Sequence, residues 1–359
     1  MMSCSPAQKR YFSNALLQWH NISNNRSLPW KGEKDPYKIW LSEIILQQTR
    51  ALQGQPYYLA FIKKYPTIQK LAAAPDDEVF RLWQGLGYYN RCRNMLFTAR
   101  YIATQLNGIF PNTHNDLLQL KGIGPYTAAA IGSFAFNLPT AVVDGNVIRV
   151  LSRFFGIDEP YDTTSGKKRF TDLAYFLLHD KQSAAYNQAI MDLGATICTP
   201  KAPNCNNCPL QTKCFAYHAN VIYDLPIKAK KLKIKKRIFN FVVFQTQNSI
   251  WLQQRGQSDI WAQLYQPYLI ESTKILSPNT LLPHIQHYIH TLSSKNIQLA
   301  HSNTQKLTHQ HIQSAFFIIR LSTPAHLSLE GGKWVKIKDL KKIAFPKSVL
   351  SFLEKNLYF

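Results

Sequence analysis

Four of the six cysteines in this chain crowd into the 17-residue stretch CTPKAPNCNNCPLQTKC, as Cys198, Cys205, Cys208 and Cys214 in the spacing C-x6-C-x2-C-x5-C. So short a segment must fold back on itself to place its thiols, and Pro200, Pro203 and Pro209 keep the connecting stretches out of helix. In a reducing compartment such a cluster reads as a metal site rather than a disulfide framework. Zinc sites usually pair two short C-x2-C knuckles across a longer gap, whereas one compact loop closing on four thiolates suits a cubane iron–sulfur cluster. The spacing favours iron–sulfur over zinc, with structural thiols behind both. Lys201 and Lys213 lie inside the loops, so a cluster would hold basic side chains on a rigid finger. Cys4 and Cys92 stand alone.

At 359 residues the chain exceeds the usual size of one compact domain and is expected to build two cores. It carries 42 Lys and Arg against 20 acidic residues, a net charge of +22 that calls for a polyanionic partner. Nucleic acid is the better choice than a membrane. No apolar run approaches the length of a spanning helix, and the N-terminus MMSCSPAQKR lacks the apolar core and cleavage site of a signal peptide. A cytoplasmic, nucleoid-associated location is therefore expected if the source is bacterial.

Residues 6 to 220 carry helical periodicity. DPYKIWLSEIILQQT opens with Asp35 as N-cap and Pro36 in the first turn, and PDDEVFRLWQGLG is expected to repeat that logic from Pro75. Then comes IKAKKLKIKKR, in which seven of the ten residues 228 to 237 are Lys or Arg. No acidic residue lies between Asp224 and Asp259, so this run is expected to contact phosphate. RIFNFVVFQ, SIWLQQR and SAFFIIRLS follow with the period of strands, giving an α+β second region.

Three further features point to chemistry. In LKGIGPYTA, residues 120 to 128, Gly122 and Gly124 form a turn whose amides are free at a following helix N-terminus, an arrangement that suits a phosphate. Glu43 falls on the same helical stripe as Ile39, Trp40, Leu46 and Gln47, where burial would raise its pKa toward that of a usable general acid. Asp144, in TAVVDGNVIRVLSRFF, opens a helix at an ordinary N-cap position.

Glycine hairpin, an Asp 18 residues after Tyr126 and a four-cysteine loop together resemble the iron–sulfur members of the helix-hairpin-helix endonuclease III superfamily. Within it the chain resembles the MutY family of adenine DNA glycosylases, through LPWKGEKDPYKIWLSEIILQQT, GLGYYNRCRN, KGIGPYT, VVDGNVIRVLSR and NQAIMDLGATIC. The resemblance implies a mainly α N-terminal helix-hairpin-helix glycosylase region with an iron–sulfur cluster loop, plus an α+β MutT/nudix-like C-terminal domain. Residues 1–217 would be the glycosylase domain, with the hairpin at about 113–134 and the cluster loop at 198–214. Residues 218–237 would be a basic linker, and 238–359 the lesion-recognition domain.

The same resemblance implies a monomeric, monofunctional glycosylase excising adenine opposite 8-oxoguanine or guanine in duplex DNA, and one 4Fe-4S cluster on Cys198, Cys205, Cys208 and Cys214. Lyase members carry a lysine where this chain has Tyr126, and a phenol cannot form a Schiff base. By the resemblance Glu43 would protonate adenine, Asp144 would face the sugar as an anion positioned by Asn146, and Tyr126 would hydrogen-bond Asp144 or the phosphate. Trp30, Lys31 and Gln188 would contact the flipped adenine, Gly122 and Gly124 the backbone. Gln48, Thr49, Leu86, Gly87 and Tyr88 would fill the stack and meet the oxidised guanine, with Thr308 and His309 of the C-terminal domain. That loop reads Leu307-Thr308-His309 where the family commonly has Phe-Ser-His, and no nudix box of clustered glutamates is present. A glycosylase-lyase acting on oxidised pyrimidines and a non-catalytic metal-stabilised DNA-binding protein are the alternatives.

Overall fold

The computed structural model describes residues 5–229, 234–289, 292–324 and 327–357. Among these the chain packs as two compact units. One comprises Met1–Ala73 with Asn94–Lys231, and the other Ala74–Arg93 with Leu232–Phe359.

The first unit is built of helices. Pro36–Leu46 opens as its sequence dictates, with the Asp35 carboxylate accepting from Tyr37 N and Pro36 in the first turn. One core gathers Phe12, Leu16, Leu151, Phe154, Phe170, Leu177, Ala189 and Leu193 from the helices Pro6–Ile22, Gly145–Phe155, Thr164–Leu177 and Ser183–Thr196. Cys198, Cys208 and Cys214 pack against its edge. The helices His114–Leu118 and Pro125–Phe136 form the hairpin, joined through Gly122 and Gly124. Gly122 sits at φ +82°, and a Cβ there would lie 2.8 Å from Asn94 Cβ. Gly124 is extended, and a Cβ on it would meet nothing within 4 Å, so its bare backbone lies open to approach.

The second unit is a seven-stranded mixed sheet: β1 (Lys235–Gln245), β2 (Ser249–Gln254), β3 (Tyr265–Gln266), β4 (Tyr268–Ser272), β5 (Gln298–Lys306), β6 (Gln310–Arg320) and β7 (Gly332–Lys336). The central pair β1 and β6 is parallel over its whole length, from Lys235 opposite Gln310 to Gln245 opposite Arg320. Its near-continuous apolar runs are those of strands buried on both faces. Val242, Phe244 and Phe317 pack beneath Leu281 and Ile285 of the helix Pro278–Ile285. On the other face, Phe316 stacks on Phe352 of the helix Lys347–Leu357 at 4.2 Å.

Two local expectations change. The helix after Pro75 runs Asp76–Leu82 with Pro75 at the N-cap and no side-chain cap, because the acidic residues follow the proline here instead of preceding it. The basic run ends inside β1: Lys235, Lys236 and Arg237 are strand residues, and the Arg237 guanidinium is held by Asp259 and Glu271. It is therefore not free for phosphate. Lys230, Lys231 and Lys233 lie outside the described residues. Within the described residues no helix is long and apolar enough to cross a membrane.

Candidate active site

A cleft of about 460 Å³ opens in the helical unit, a size suited to a small ligand. Its lining brings together Trp30, Lys31, Glu43, Thr49, Tyr126, Asp144, Asn146 and Gln188, residues spread over more than 150 positions of the chain. Glu43 is 5% exposed, because the helix Pro36–Leu46 is apolar nearly all round and turns this face inward. Burial raises its carboxyl pKa to about 7; the nearby Asp144 charge adds to the rise, and a hydrogen bond from Tyr126 opposes it. Tyr126 thus takes Glu43 as its partner, where the resemblance suggested Asp144 or the phosphate. Its own pKa is pushed up by burial and by the two carboxylates, so it stays a neutral donor.

Asp144 does two jobs with one carboxylate. Oδ1 caps the helix Gly145–Phe155 by accepting from Val147 N at 2.8 Å, and Oδ2 accepts from Asn146 Nδ2 at 2.7 Å. Burial raises its pKa, while those two donors and the Arg149 charge pull it back. Both carboxyls are therefore raised, but Glu43 has the single donor Tyr126, whereas Asp144 has Val147 N, Asn146 and the Arg149 charge favouring its ionised form. Asn146 is fixed in turn, since its Oδ1 accepts from Arg149 Nη2 at 2.9 Å, and Arg149 Nε donates to the carbonyl of Cys198 at 2.7 Å.

The remaining expected contacts divide between the two units. Trp30 stands edge-on to Tyr58 with ring centroids 5.3 Å apart. Lys31 is already engaged, donating to Arg26 O at 2.9 Å and lying 3.1 Å from Asp192. Gln48 is exposed at φ +56° just beyond the end of the helix Pro36–Leu46. In the second unit Leu307–His309 is the turn of the β5–β6 hairpin, and the Thr308 hydroxyl lies 2.5 Å from the hydroxyl of Tyr88. Tyr88 is 42% exposed and, at φ +49°, held in the left-handed region. The Gly87 carbonyl accepts from Trp83 Nε1 at 3.0 Å and Arg91 Nη2 at 3.2 Å. Leu86, expected to enter a base stack, is instead 6% exposed and part of the packed interior.

The four clustered cysteines line one small cavity together with Arg153, Ile197, Tyr217 and Ile222. Burial and mutual proximity push the thiols of Cys205, Cys208 and Cys214 up, Cys208 to about 12. Four thiols lining one cavity are a soft donor set that a cationic group would stabilise as thiolates. Arg153 supplies a positive edge, with Nη1 3.4 Å from Cys198 Sγ. Among the described residues no three His, Cys, Asp or Glu side chains converge as a single-ion site. The four cysteines that share the cavity are a donor set of the kind that holds a metal group.

Sequence reasoning missed Arg26, His20 and Asp192. Arg26 and His20 line the cleft, and Asp192 anchors its wall. The signal for Asp192 was present, a carboxylate in the middle of the apolar helix Ser183–Thr196, one turn beyond Gln188.

Residues 41–171 match the HhH-GPD superfamily of base excision DNA repair proteins, and residues 240–355 match the NUDIX domain. A solved thermostable thymine-DNA glycosylase superposes on 60% of this chain and all of its own, with a TM-score of 0.55 and 29% identity. Helical hairpin, buried carboxylates and these matches define the class: a helix-hairpin-helix DNA glycosylase with an appended nudix-like domain. Two curated relatives narrow it. The adenine DNA glycosylase of Buchnera aphidicola subsp. Schizaphis graminum is 34% identical over 96% of this chain and 98% of its own length. That of Buchnera aphidicola subsp. Baizongia pistaciae is 39% identical over 74% and 76%. The chain belongs to the adenine DNA glycosylase family, enzymes of base excision repair.

Proposed function

We propose that this chain removes adenine paired with 8-oxoguanine or guanine in duplex DNA, as a monofunctional glycosylase that leaves an abasic site. The observation that carries the reading is the pairing of Glu43, buried and with its pKa at about 7, with the more ionisable Asp144 in one cleft. With adenine flipped into the cleft, protonated Glu43 donates to N7 as the C1′–N9 bond breaks and its electron pair moves onto the base. Neutral adenine leaves. Asp144, anionic and locked by Val147 N and Asn146, faces the oxocarbenium-like sugar until water adds at C1′ and gives up its proton to a carboxylate. Tyr126 orients the Glu43 carboxyl and, lacking an amine, forms no Schiff base with the sugar.

Cys198, Cys205, Cys208 and Cys214 would hold a 4Fe-4S cluster, which when bound supplies a rigid cross-link and thiolate charge to the loop. Arg153 would hydrogen-bond Cys198, while Lys201 and Lys213 would present charge to phosphate. Purified protein should then be brown and contain about four irons per chain; colourless protein with stoichiometric zinc overturns the assignment. On the other unit Tyr88, Thr308 and His309 would meet the oxidised guanine, supported by the Tyr88–Thr308 contact. The test is a duplex with one adenine opposite 8-oxoguanine, half of each reaction treated with alkali. Strand cleavage only in the treated half is expected, and cleavage without alkali overturns the monofunctional reading.

A further inference from the structure

One buried carboxylate beside the cleft takes no part in the steps above. The Asp192 side chain is fully excluded from solvent, yet four donors converge on it. Oδ1 accepts from Arg26 Nη1 at 2.7 Å and from Gln188 Nε2 at 3.0 Å; Oδ2 accepts from Asn24 Nδ2 at 2.7 Å and lies 3.1 Å from Lys31 Nζ. Arg26, Lys31 and Gln188 all line the cleft, so one carboxylate anchors three side chains of its wall. Two cations face this one carboxylate, and two of its four donors, Asn24 and Gln188, are amides; Asn24 is held at its other end as well, its Oδ1 accepting from Arg26 N at 3.2 Å.

Gln188 differs from Asn24 because it lines the cleft, so which of its two unlike amide ends faces a ligand matters. An ionised carboxylate only accepts, so the amide must turn Nε2 to Asp192. The inverted rotamer would set two oxygens against each other in a buried site. Among the described residues Gln188 Oε1 accepts no hydrogen bond, and it is the end of the amide left for a ligand. We propose that Asp192 is a specificity-determining positioning residue: by fixing the Gln188 amide it makes the cleft read a 6-amino group and reject a 6-oxo group. The inference rests on the adenine-excision reading above. Adenine offers a donor at N6 beside an acceptor at N7, the complement of a Gln188 oxygen beside a protonated Glu43. A 6-oxopurine such as hypoxanthine keeps N7 but presents an oxygen to an oxygen, and a site built to hydrogen-bond one group discriminates strongly against its opposite.

The experiment compares single-turnover excision of adenine and of hypoxanthine, each opposite 8-oxoguanine, by the full-length wild type and by Asp192→Asn across pH. An asparagine can donate to Oε1 and let the amide turn over. The adenine-to-hypoxanthine rate ratio should therefore fall at least tenfold, while the alkaline limb set by Glu43 stays where it is. A merely structural role would slow both substrates alike, and an unchanged ratio overturns the proposal. Should the single variant fail to fold because Arg26 and Lys31 are left facing each other, Asp192→Asn with Arg26→Gln restores the charge balance and is read by the same ratio. Wild type that releases no adenine sinks the excision reading and this one with it; wild type that releases adenine while the ratio holds in the variants sinks this one alone.

Discussion

Two sets of carboxylates in this molecule are treated in opposite ways. In the helical unit no cation among the described residues is hydrogen-bonded to Glu43, and burial lifts its pKa to about 7. In the sheet unit Asp259 is gripped by Arg237 at 2.7 Å and Arg255 at 2.6 Å, and the bond to Arg237 brings its pKa down to about 2. Glu271, on the other side of Arg237, is lowered too. Desolvation acts on every one of these groups. What separates them is that Glu43 is buried, whereas Asp259 and Glu271 keep part of their surface in water and meet guanidinium donors. A buried acid left without a cation is a reactive group held at a cost, whereas a paired one is scaffold.

The largest expected effect comes from removing the two carboxyls of the cleft. Glu43→Gln and Asp144→Asn should each slow adenine excision by roughly a thousandfold or more, with duplex binding largely retained, since each loses a proton or charge used in the transition state. Single-turnover rates and gel-shift titrations read the two effects separately, and a variant still excising at near wild-type rate removes that residue from the chemistry.

Next in size is Tyr126→Lys, which would place a cation beside Glu43 and give it the environment of Asp259. The Glu43 pKa should fall, carrying the alkaline limb of the pH–rate profile downward, and neutral-pH excision should drop by about tenfold or more. Borohydride would trap the new amine on the sugar if it reaches C1′. A pH profile identical to wild type would mean that the ammonium turns away from Glu43.

A smaller effect appears in stability. Below pH 4.5 Glu43 is protonated whether folded or not; between 4.5 and about 7 the unfolded chain ionises while the folded one keeps its proton. Folding stability from this group is complete at low pH and is lost as pH rises, by about 3 kcal/mol in all. Glu43→Gln should therefore melt higher than wild type at pH 8 and close to it at pH 5, and equal melting curves at both pH values would contradict the burial argument. Asp259 has the opposite sign. Its contribution is present above 3.8 and lost as pH falls toward 2. Asp259→Asn should cost only about 1 kcal/mol, because the carboxylate is partly exposed, and should leave excision of adenine opposite guanine unchanged.

Much of this was legible in the chain itself. Asp35-Pro36 fixes the start of its helix because a cap and a proline act within one turn, and four cysteines in a single loop cannot be placed far apart. Glu43 stands out because a carboxylate on an apolar stripe has few places to go. The strands β1, β2 and β6 follow from short apolar runs broken by turn residues, whose period and propensity are local properties. The match of the hairpin, carboxylates and cysteine loop to one family carried the sequence reading as far as a reaction.

What only the tertiary structure decided depends on partners distant in the chain. No local pattern says that Tyr126 meets Glu43, that Arg237 leaves the basic run to join Asp259 and Glu271, or that Tyr88 lies against Thr308, 220 residues away. Ala74–Arg93 groups with the sheet unit rather than with the helices on either side of it in sequence, because periodicity reveals an apolar face and not the surface that will cover it. Leu86 is spent in such packing for the same reason. Asp192 is the sharpest case: residue type and helical position mark a buried acid, but whether it becomes an unpaired reactive group or an anchor depends on four donors, three of them more than 160 residues away. Burial can be read from the order of residues, since it follows from hydrophobic pattern. Compensation of a buried charge cannot, because it is settled by which side chains the fold brings within 3 Å or so.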